Sequence, residues 1–225
     1  MSWRPAEKLR AILFDLDGTL ADTAPDLGYA LNSQRLARGL PELGIAELRK
    51  QASSGARGLL ETGFGIRPAD SGYIEMRDEF LHIYERNLAR SSALFPGIPD
   101  LLDLIEEQGL IWGVVTNKAE RFTLPLLKAL DLLDRSACVI CGDTTPHAKP
   151  HPAPMLEAMS RTATDASECV YVGDDERDVQ AAHAAGVKAV VVRYGYLGNG
   201  TPPEQWGADV IVDSPAELGA ILFSR

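Results

Sequence analysis

The sequence is poor in cysteine. Three cysteines in 225 residues are an odd number and too few for a disulfide framework, so we expect a reducing, cytoplasmic setting. Two of them, Cys138 and Cys141, form a C-x-x-C motif in an apolar run of strand character. Positions three apart in a strand point to opposite faces, so we interpret both cysteines as packing residues, not as a metal or disulfide pair.

The chain also lacks long apolar runs and an excess of positive charge. No stretch approaches the roughly 20 apolar residues that a membrane-spanning helix needs, and residues 1–10 lack the apolar centre of a secretory signal. The 22 basic residues are outnumbered by 32 acidic ones, which gives a net charge of -10. We therefore expect no nucleic-acid and no membrane partner, because both favour clustered Lys and Arg. An acidic protein that binds an anion needs a locally positive electrostatic potential at the binding site, which a metal ion or a few cationic side chains can supply.

What the sequence does contain is an alternation of short apolar runs and amphipathic segments. A buried strand is predicted at residues 11–16, and from Pro96 onward predicted strands alternate with predicted helices. The strands are 110–116, 138–141, 169–172, 187–192 and 210–212, and the helices are 120–130, 152–160, 179–185 and 216–223. This pattern indicates an α/β fold with a doubly wound parallel sheet, covered by helices on both faces.

Between the first strand and residue 92, the pattern is helical and contains no convincing strand. Pro25 suits a first helical turn, and apolar residues recur at helical spacing from residue 27. Residues 73–88 form another amphipathic pattern. The candidates for its apolar side are Ile74, Phe80, Leu81, Tyr84 and Leu88.

These patterns predict two domains. The α/β core comprises residues 1–21 and 93–225, and an all-helical cap of residues 22–92 is inserted after the first core strand. Ligands of doubly wound sheets bind beyond the carboxyl ends of the strands. We expect the cap to close over that edge, which excludes water and bulky macromolecules.

Residues that suit phosphate chemistry lie at the carboxyl ends of four of the predicted strands or in the loops that follow them. They are Asp15, Asp17 and Gly18 at the end of the first strand, Thr116 and Asn117 at the end of the second, Lys149 in the loop after the third, and Asp174, Asp175 and Asp178 after the fourth. Because parallel strands place their carboxyl ends at one edge, we expect one site with several carboxylates, a lysine and a hydroxyl.

Crowded carboxylates need a compensating cation, and Mg²⁺ favours one or two carboxylates, waters and a substrate phosphate. An ionised Asp15 could attack phosphorus in line, while Asp17 protonates the leaving oxygen and later accepts a proton from water. The Thr116 hydroxyl and backbone amides near Asp17 and Asn117 would hold phosphoryl oxygens. We therefore predict a Mg²⁺-dependent phosphomonoesterase for a small-molecule phosphate ester, with a phospho-aspartyl intermediate.

The motifs resemble those of the haloacid dehalogenase superfamily, over essentially the whole chain. The first motif is Asp15-Leu-Asp-Gly-Thr19, the second Thr116, the third Lys149 in Lys-Pro-His-Pro and the fourth Gly173-Asp-Asp-Glu-Arg-Asp178. The resemblance implies that Asp15 is nucleophile and metal ligand, that Asp17 is the acid/base with a metal-binding backbone carbonyl, and that Asp174 is the other direct ligand. It implies that Asp178 supports Lys149 or metal-bound water. The role of Asp175 stays open, because relatives often have serine there.

Asp17 decides the reaction class within this resemblance. Dehalogenases of the superfamily lack the second aspartate and P-type ATPases have threonine there, so its presence favours phosphomonoester hydrolysis or phosphoryl transfer between sugars. A sugar-phosphate mutase of the β-phosphoglucomutase type uses the same core residues and stays an alternative. A non-enzymatic binding module is a remoter alternative, because a pure binder has no need for Asp17.

The choice of substrate depends on the cap. Arg57 is predicted in a glycine-rich loop between cap helices, where its guanidinium could bind a phosphate or carboxylate of the substrate; a solvated surface arginine is the alternative. Residues 22–27 and 141–146 are similar to phosphoglycolate phosphatases, whereas residues 111–118 and 194–196 are similar to N-acetylmuramic acid 6-phosphate phosphatases. We expect one of these two esters as substrate, and a monomer or weak homodimer.

Overall fold

The computed structural model describes residues 9–198 and 200–223. The strands are β1 (Ala11–Phe14), β2 (Ala21–Asp22), β3 (Ala93–Leu94), β4 (Ile111–Val115), β5 (Val139–Ile140), β6 (Cys169–Gly173), β7 (Lys188–Val192) and β8 (Val210–Val212). The helices are α1 (Ala24–Ala37), α2 (Ile45–Arg49), α3 (Gly55–Phe64), α4 (Tyr73–Arg86), α5 (Ile98–Glu107), α6 (Glu120–Ala129), α7 (Ala153–Thr162), α8 (Glu176–Ala184) and α9 (Pro215–Phe223).

Six strands form one parallel sheet in the order β5-β4-β1-β6-β7-β8. Ile12 and Phe14 of the central strand β1 pack on one face with α5, α6 and α9, whereas Leu13 packs on the other with α7 and α8. A strand covered on both faces has no polar side, which is why β1 is a continuous apolar run. Each such fully buried side chain contributes about 1.5–3 kcal/mol. The predicted doubly wound α/β fold is confirmed.

The four helices α1 to α4 lie between β2 and β3, and we call residues 24–86 the helical insert. The two-residue strands β2 and β3 pair antiparallel, so the chain leaves and re-enters the core at neighbouring points. α1 packs against α2, α3 and α4. Leu31, Phe80 and Tyr84 are buried and belong to the same apolar cluster as one face of the sheet. The division into a core and a separate cap with bounds at 22 and 92 stays a prediction.

Several elements differ from those predicted. α8 begins at Glu176, one turn before the predicted start, because the Asp175 side chain accepts the Arg177 N–H and caps it. Ile74 is 51% exposed, and Tyr73 is buried beside Phe80 and Tyr84 in its place. The strand predicted at 138–141 has two residues, and the helices α2, α3 and α5 were not predicted.

Three parts of the predicted core lie outside the described residues, namely residues 1–8, residue 199 and residues 224–225.

Cys138, Cys141 and Cys169 are buried and free, as expected for packing residues. Among the helices that the structure describes, none is both long enough and apolar enough to span a membrane.

Candidate active site

Lys149 lies at the centre of a charged cluster at the carboxyl edge of the sheet. Its Nζ is 2.9 Å from Asp15 Oδ1 and 2.7 Å from Asp178 Oδ1. It also donates to the Val115 carbonyl at 2.9 Å and to the Tyr171 hydroxyl at 2.8 Å. Burial lowers the pKa of Lys149, but the two carboxylates raise it more, so the buried ammonium stays charged.

Asp15, the predicted nucleophile, is a buried carboxylate directly after β1. It is 8% exposed, and its Oδ1 accepts the Leu16 N–H at 2.8 Å in addition to the contact with Lys149. Burial raises the pKa of Asp15 to about 7; Lys149 opposes this rise, and Asp178 and Asp17 add to it. Asp15 therefore needs more positive charge than Lys149 supplies to be fully ionised near neutral pH.

Asp178 and Asp174 lie on the same segment but have different partners. Asp178 Oδ2 accepts the backbone N–H groups of Asp174 and Asp175, both at 3.1 Å, while its Oδ1 accepts from Lys149. Asp174 is fully buried and accepts from two neutral donors, the Thr19 hydroxyl at 3.0 Å and the Tyr196 N–H at 2.7 Å. Burial raises the pKa of Asp174 well above its usual value, and Asp15 and Asp178 raise it further.

The residues present fit a divalent cation. Asp15, Asp174 and Asp178 each offer an oxygen within 4.8 Å of the others, and hard carboxylate oxygens are the ligands that Mg²⁺ prefers. The contacts of Asp178 with Lys149 and two N–H groups leave Asp15 and Asp174 as the better candidate ligands. Burial raises the pKa values of both groups and the neighbouring carboxylates raise them further, and a cation would oppose both effects.

Two glycines allow the backbone to approach this cluster closely. Gly18 has a φ of 88°, and a Cβ at either Gly18 or Gly195 would collide with Asp174. Gly18, predicted beside the phosphate, is thus placed against the candidate metal ligand Asp174.

Asp17 directs its carboxyl group toward Lys118. The Lys118 Nζ lies 2.8 Å and 3.0 Å from the two Asp17 oxygens, and the Thr23 hydroxyl donates to Oδ1. The Lys118 side chain is buried; burial lowers its pKa, and Asp17 raises it more. Lys118 was not among the predicted site residues. Its position two residues after Thr116, in the segment that follows β4, was the signal that could have identified it.

Thr116 and Asn117 follow β4, as predicted. Thr116 is 2% exposed, and its hydroxyl accepts the Lys118 N–H at 3.2 Å. The Asn117 side chain donates to the Lys149 carbonyl and accepts the Lys149 N–H, both at 2.9 Å. This reciprocal pair fixes the loop that carries Lys149 to the end of β4.

Asp175 connects the core to the helical insert through Arg177. The Arg177 guanidinium lies 2.7 Å and 2.8 Å from the two Asp175 oxygens, and it also donates to the Ser53 carbonyl at 2.8 Å. Burial raises the pKa of Asp175, but Arg177 lowers it more. This contact gives Asp175 a structural role, which the sequence had left open. Arg177 was missed, although it lies within the fourth motif.

Tyr196 joins Asp174 to the start of the insert. Its N–H donates to Asp174, while its hydroxyl accepts the N–H groups of Thr23 at 2.7 Å and Ala24 at 2.9 Å. The hydroxyl also donates to Asp22 at 3.0 Å. No local pattern around Tyr196 indicates this role, because the partners of its hydroxyl lie more than 170 positions away.

A cavity of about 450 Å³ lies between the strand ends and the helical insert. Its core side includes Asp15, Asp17, Thr116, Asn117, Lys149, Asp175 and Asp178, and its other walls include Leu27, Ser53, Arg57, Phe80, Tyr84, Arg121 and Phe122. The prediction that Arg57 lies in a loop was wrong. Gly55 has a φ of 57° and begins α3 directly after a short 3₁₀ turn, so Arg57 is exposed in the first turn of a helix.

A family model for haloacid dehalogenase-like hydrolases matches residues 12–192 of the chain. An N-acetylmuramic acid 6-phosphate phosphatase from Pseudomonas aeruginosa is 44% identical over 96% of this chain and 95% of its own length. A phosphoglycolate phosphatase from Xanthomonas campestris pv. campestris is 43% identical, over 93% of this chain and 94% of its own. The crystal structure of a predicted phosphoglycolate phosphatase from Haemophilus somnus superposes with a TM-score of 0.82 at 29% identity, covering 94% of this chain and 96% of that one.

Proposed function

This chain belongs to the haloacid dehalogenase-like hydrolases, and from this membership we propose that it is a phosphomonoesterase for a small phosphorylated metabolite. One observation carries the proposal. Asp15 and Asp174 lie within reach of one metal ion, beside Lys149, and Asp15 and Lys149 line the cavity together with Asp17. Hydrolysis of a phosphate ester needs a nucleophile, a proton donor and compensation of the phosphate charge, and these residues supply the first two and part of the third.

We assign the nucleophile to Asp15. Lys149 and the Leu16 N–H hold its carboxylate in one orientation before substrate arrives. Asp15 attacks phosphorus, the bond from phosphorus to the ester oxygen breaks, and a phospho-aspartyl intermediate forms. Mg²⁺ held by Asp15, Asp174 and the Asp17 carbonyl would compensate the negative charge of the phosphate.

We assign proton transfer to Asp17. In the first step its carboxyl group gives a proton to the leaving alcohol oxygen. In the second step it accepts a proton from the water that attacks the phospho-aspartyl group, which releases phosphate and regenerates Asp15. Lys118 and Thr23 fix the direction of the carboxyl group between these steps.

The phosphoryl group would be held by the residues after β4. The Thr116 hydroxyl and the backbone amide of Asn117 provide neutral donors, and Lys149 provides a buried cation. Asp178 and Asn117 position Lys149 through its ammonium and its backbone respectively. Preorganised donors of this kind stabilise the charge of the transition state.

N-acetylmuramic acid 6-phosphate is the substrate we propose first, and 2-phosphoglycolate is the alternative. The names of two relatives of 44% and 43% identity support these choices about equally. The cavity of about 450 Å³ favours the larger ester. We also propose a cytoplasmic monomer or weak homodimer, for which the free, buried cysteines fit a reducing compartment.

The test is a steady-state screen of the purified protein with Mg²⁺. Both esters and simple hexose phosphates are compared by release of inorganic phosphate. We expect kcat/KM for one ester to exceed the others about 100-fold, a difference of about 2.7 kcal/mol in transition-state binding. Release of phosphate from none of them would reject the proposed function. Isomerisation of a sugar phosphate that requires a bisphosphate activator would identify the mutase instead.

A further inference from the structure

Tyr84 in α4 carries a hydroxyl group with an unmet hydrogen-bonding capacity. The residue is 1% exposed, and within the described ranges its hydroxyl has no hydrogen-bond acceptor. The Lys118 ammonium lies 5.0 Å from the centre of the ring. An ammonium can only donate, so the hydrogen of the Tyr84 hydroxyl lacks an acceptor even where Lys118 interacts with its oxygen. Buried polar groups without a partner are rare in folded proteins.

The position of Tyr84 indicates where the missing acceptor lies. Tyr84 lines the same cavity as Asp15 and Asp17. Lys118 bonds to both oxygens of Asp17 and stands over the Tyr84 ring, so the three side chains form a continuous row. In the proposed reaction Asp17 faces the leaving oxygen of the ester. The alcohol part of the substrate would therefore extend along this row.

Besides Lys118, apolar and aromatic side chains lie around Tyr84. The Phe122 ring packs edge-on against Tyr84 with its centre 5.4 Å away, and Phe122 is 5% exposed. Phe80 and Leu27 are also buried and line the cavity. Tight aromatic packing fixes the Tyr84 ring, and an apolar wall with one hydroxyl group suits a ligand that has both an apolar face and oxygen atoms.

We propose that the Tyr84 hydroxyl donates a hydrogen bond to an oxygen of the alcohol part of the substrate, and that this part is a sugar ring packed against Phe80, Tyr84 and Phe122. The inference rests on the proposed phosphatase function and narrows its substrate class to phosphorylated sugars. A two-carbon acid such as glycolate would leave most of the apolar wall without contact.

The experiment compares Tyr84→Phe with the wild type on two ligands. The first is N-acetylmuramic acid 6-phosphate as substrate, and the second is inorganic phosphate as a product inhibitor that has no alcohol part. We expect KM for the sugar phosphate to rise about tenfold or more, because the lost contact is buried, while Ki for phosphate stays within about twofold. Tyr73→Phe, at a buried tyrosine of the same helix that does not line the cavity, is the matched control and should change neither value.

Two results would overturn the inference. An unchanged KM in Tyr84→Phe would show that the hydroxyl does not contact substrate, and a parallel rise of KM and Ki would show a general structural role. A wild-type preference for 2-phosphoglycolate in kcat/KM would reject the sugar ring. A wild-type protein that releases phosphate from no ester fails the proposed function itself, which is a separate outcome.

Discussion

The two sides of the cavity differ in how completely their polar groups are paired. On the core side, Lys149 pairs with Asp15 and Asp178, and Lys118 pairs with Asp17. On the insert side, within the residues that the structure describes, Ser53 Oγ and the Tyr84 hydroxyl are buried without an acceptor, and Arg57 forms no ion pair. All three buried side-chain atoms without a partner in the described ranges lie in the helical insert.

This difference separates two tasks. The core side is arranged before any ligand arrives, which is what charge stabilisation in a transition state requires. The insert side keeps hydrogen-bonding capacity that a ligand can use. Substitutions on the core side should therefore lower kcat or change the stability of the fold. Those on the insert side should raise KM and leave kcat almost unchanged. Four predictions test this contrast.

The largest effect is expected for Asp15→Asn. An amide cannot replace the nucleophilic carboxylate, so kcat should fall at least ~1,000-fold, about 4 kcal/mol. Steady-state phosphate release measures the loss, and circular dichroism should show an unchanged fold. Asp134→Asn, at an exposed aspartate, is the control and should keep the wild-type rate. Residual turnover of Asp15→Asn within tenfold of wild type would contradict the assignment of the nucleophile.

Next in size is the loss of stability expected for Lys149→Met. The change leaves Asp15 and Asp178 buried without their ammonium partner, and breaking a buried ion pair costs about 3–5 kcal/mol. Urea unfolding measures the difference in the free energy of unfolding. Lys128→Met, at an exposed lysine, should lose little. A loss below about 1 kcal/mol for Lys149→Met would argue that the core side is not held by this pairing.

For Asp174→Asn in metal-free protein, we expect a smaller change in the free energy of unfolding, of opposite sign to that of Lys149→Met. Within the described residues no cationic side chain pairs with the buried Asp174 carboxylate, and an amide could still accept the Tyr196 N–H and donate to Thr19. We expect metal-free stability to stay equal or to rise by about 1 kcal/mol, because a desolvated charge is removed. Addition of Mg²⁺ should raise the Tm of the wild type but not of the variant.

Thermal melts in EDTA and in excess Mg²⁺ provide the measurement for this prediction. Asp178→Asn is the matched control, and it should lose stability because Asp178 pairs with Lys149. The assignment of Asp174 as a metal ligand would be wrong if Asp174→Asn kept the full Mg²⁺ response.

The smallest effect is expected on the insert side. Arg57→Gln should raise KM for N-acetylmuramic acid 6-phosphate about three- to tenfold and leave kcat within about twofold, because Arg57 lines the cavity on the insert side and not on the side of Asp15. Arg67→Gln, at an insert arginine that pairs with Glu61 outside the cavity, is the control. Wild-type kinetics in Arg57→Gln would identify it as a solvated surface arginine, and a large fall in kcat would break the contrast between the two sides.

The same contrast explains how much could be predicted from sequence. The shared location of Asp15, Thr116, Lys149 and Asp174 could be predicted because parallel strands bring their carboxyl ends to one edge. No comparable rule tells which side chains of the helical insert face the cavity. Gly55 and Gly58 resemble loop residues, although the backbone there is helical, and the orientation of Tyr84 toward the cavity follows from packing between helices.

Lys118, Arg177 and Tyr196 were missed for a related reason. Each has a contact with a residue far away in sequence, namely Asp17, Ser53 and Asp22. Propensity and periodicity describe neighbours within a few positions, so these contacts become visible only when the fold is known, although the place of Lys118 two residues after Thr116 marks it as a candidate.

The antiparallel pairing of β2 with β3 has a consequence for the order of folding. The central pairing of β1 with β4 joins residues about 100 positions apart, as Leu13 and Gly113 are, and closing so long a loop has an entropic cost that delays such contacts. The helices of the insert make contacts that are more local, and β2–β3 brings the ends of the insert together. Once these have formed, the effective loop between β1 and β4 is short. The segment that lines the cavity in the folded protein would then also be the one that allows the sheet to assemble.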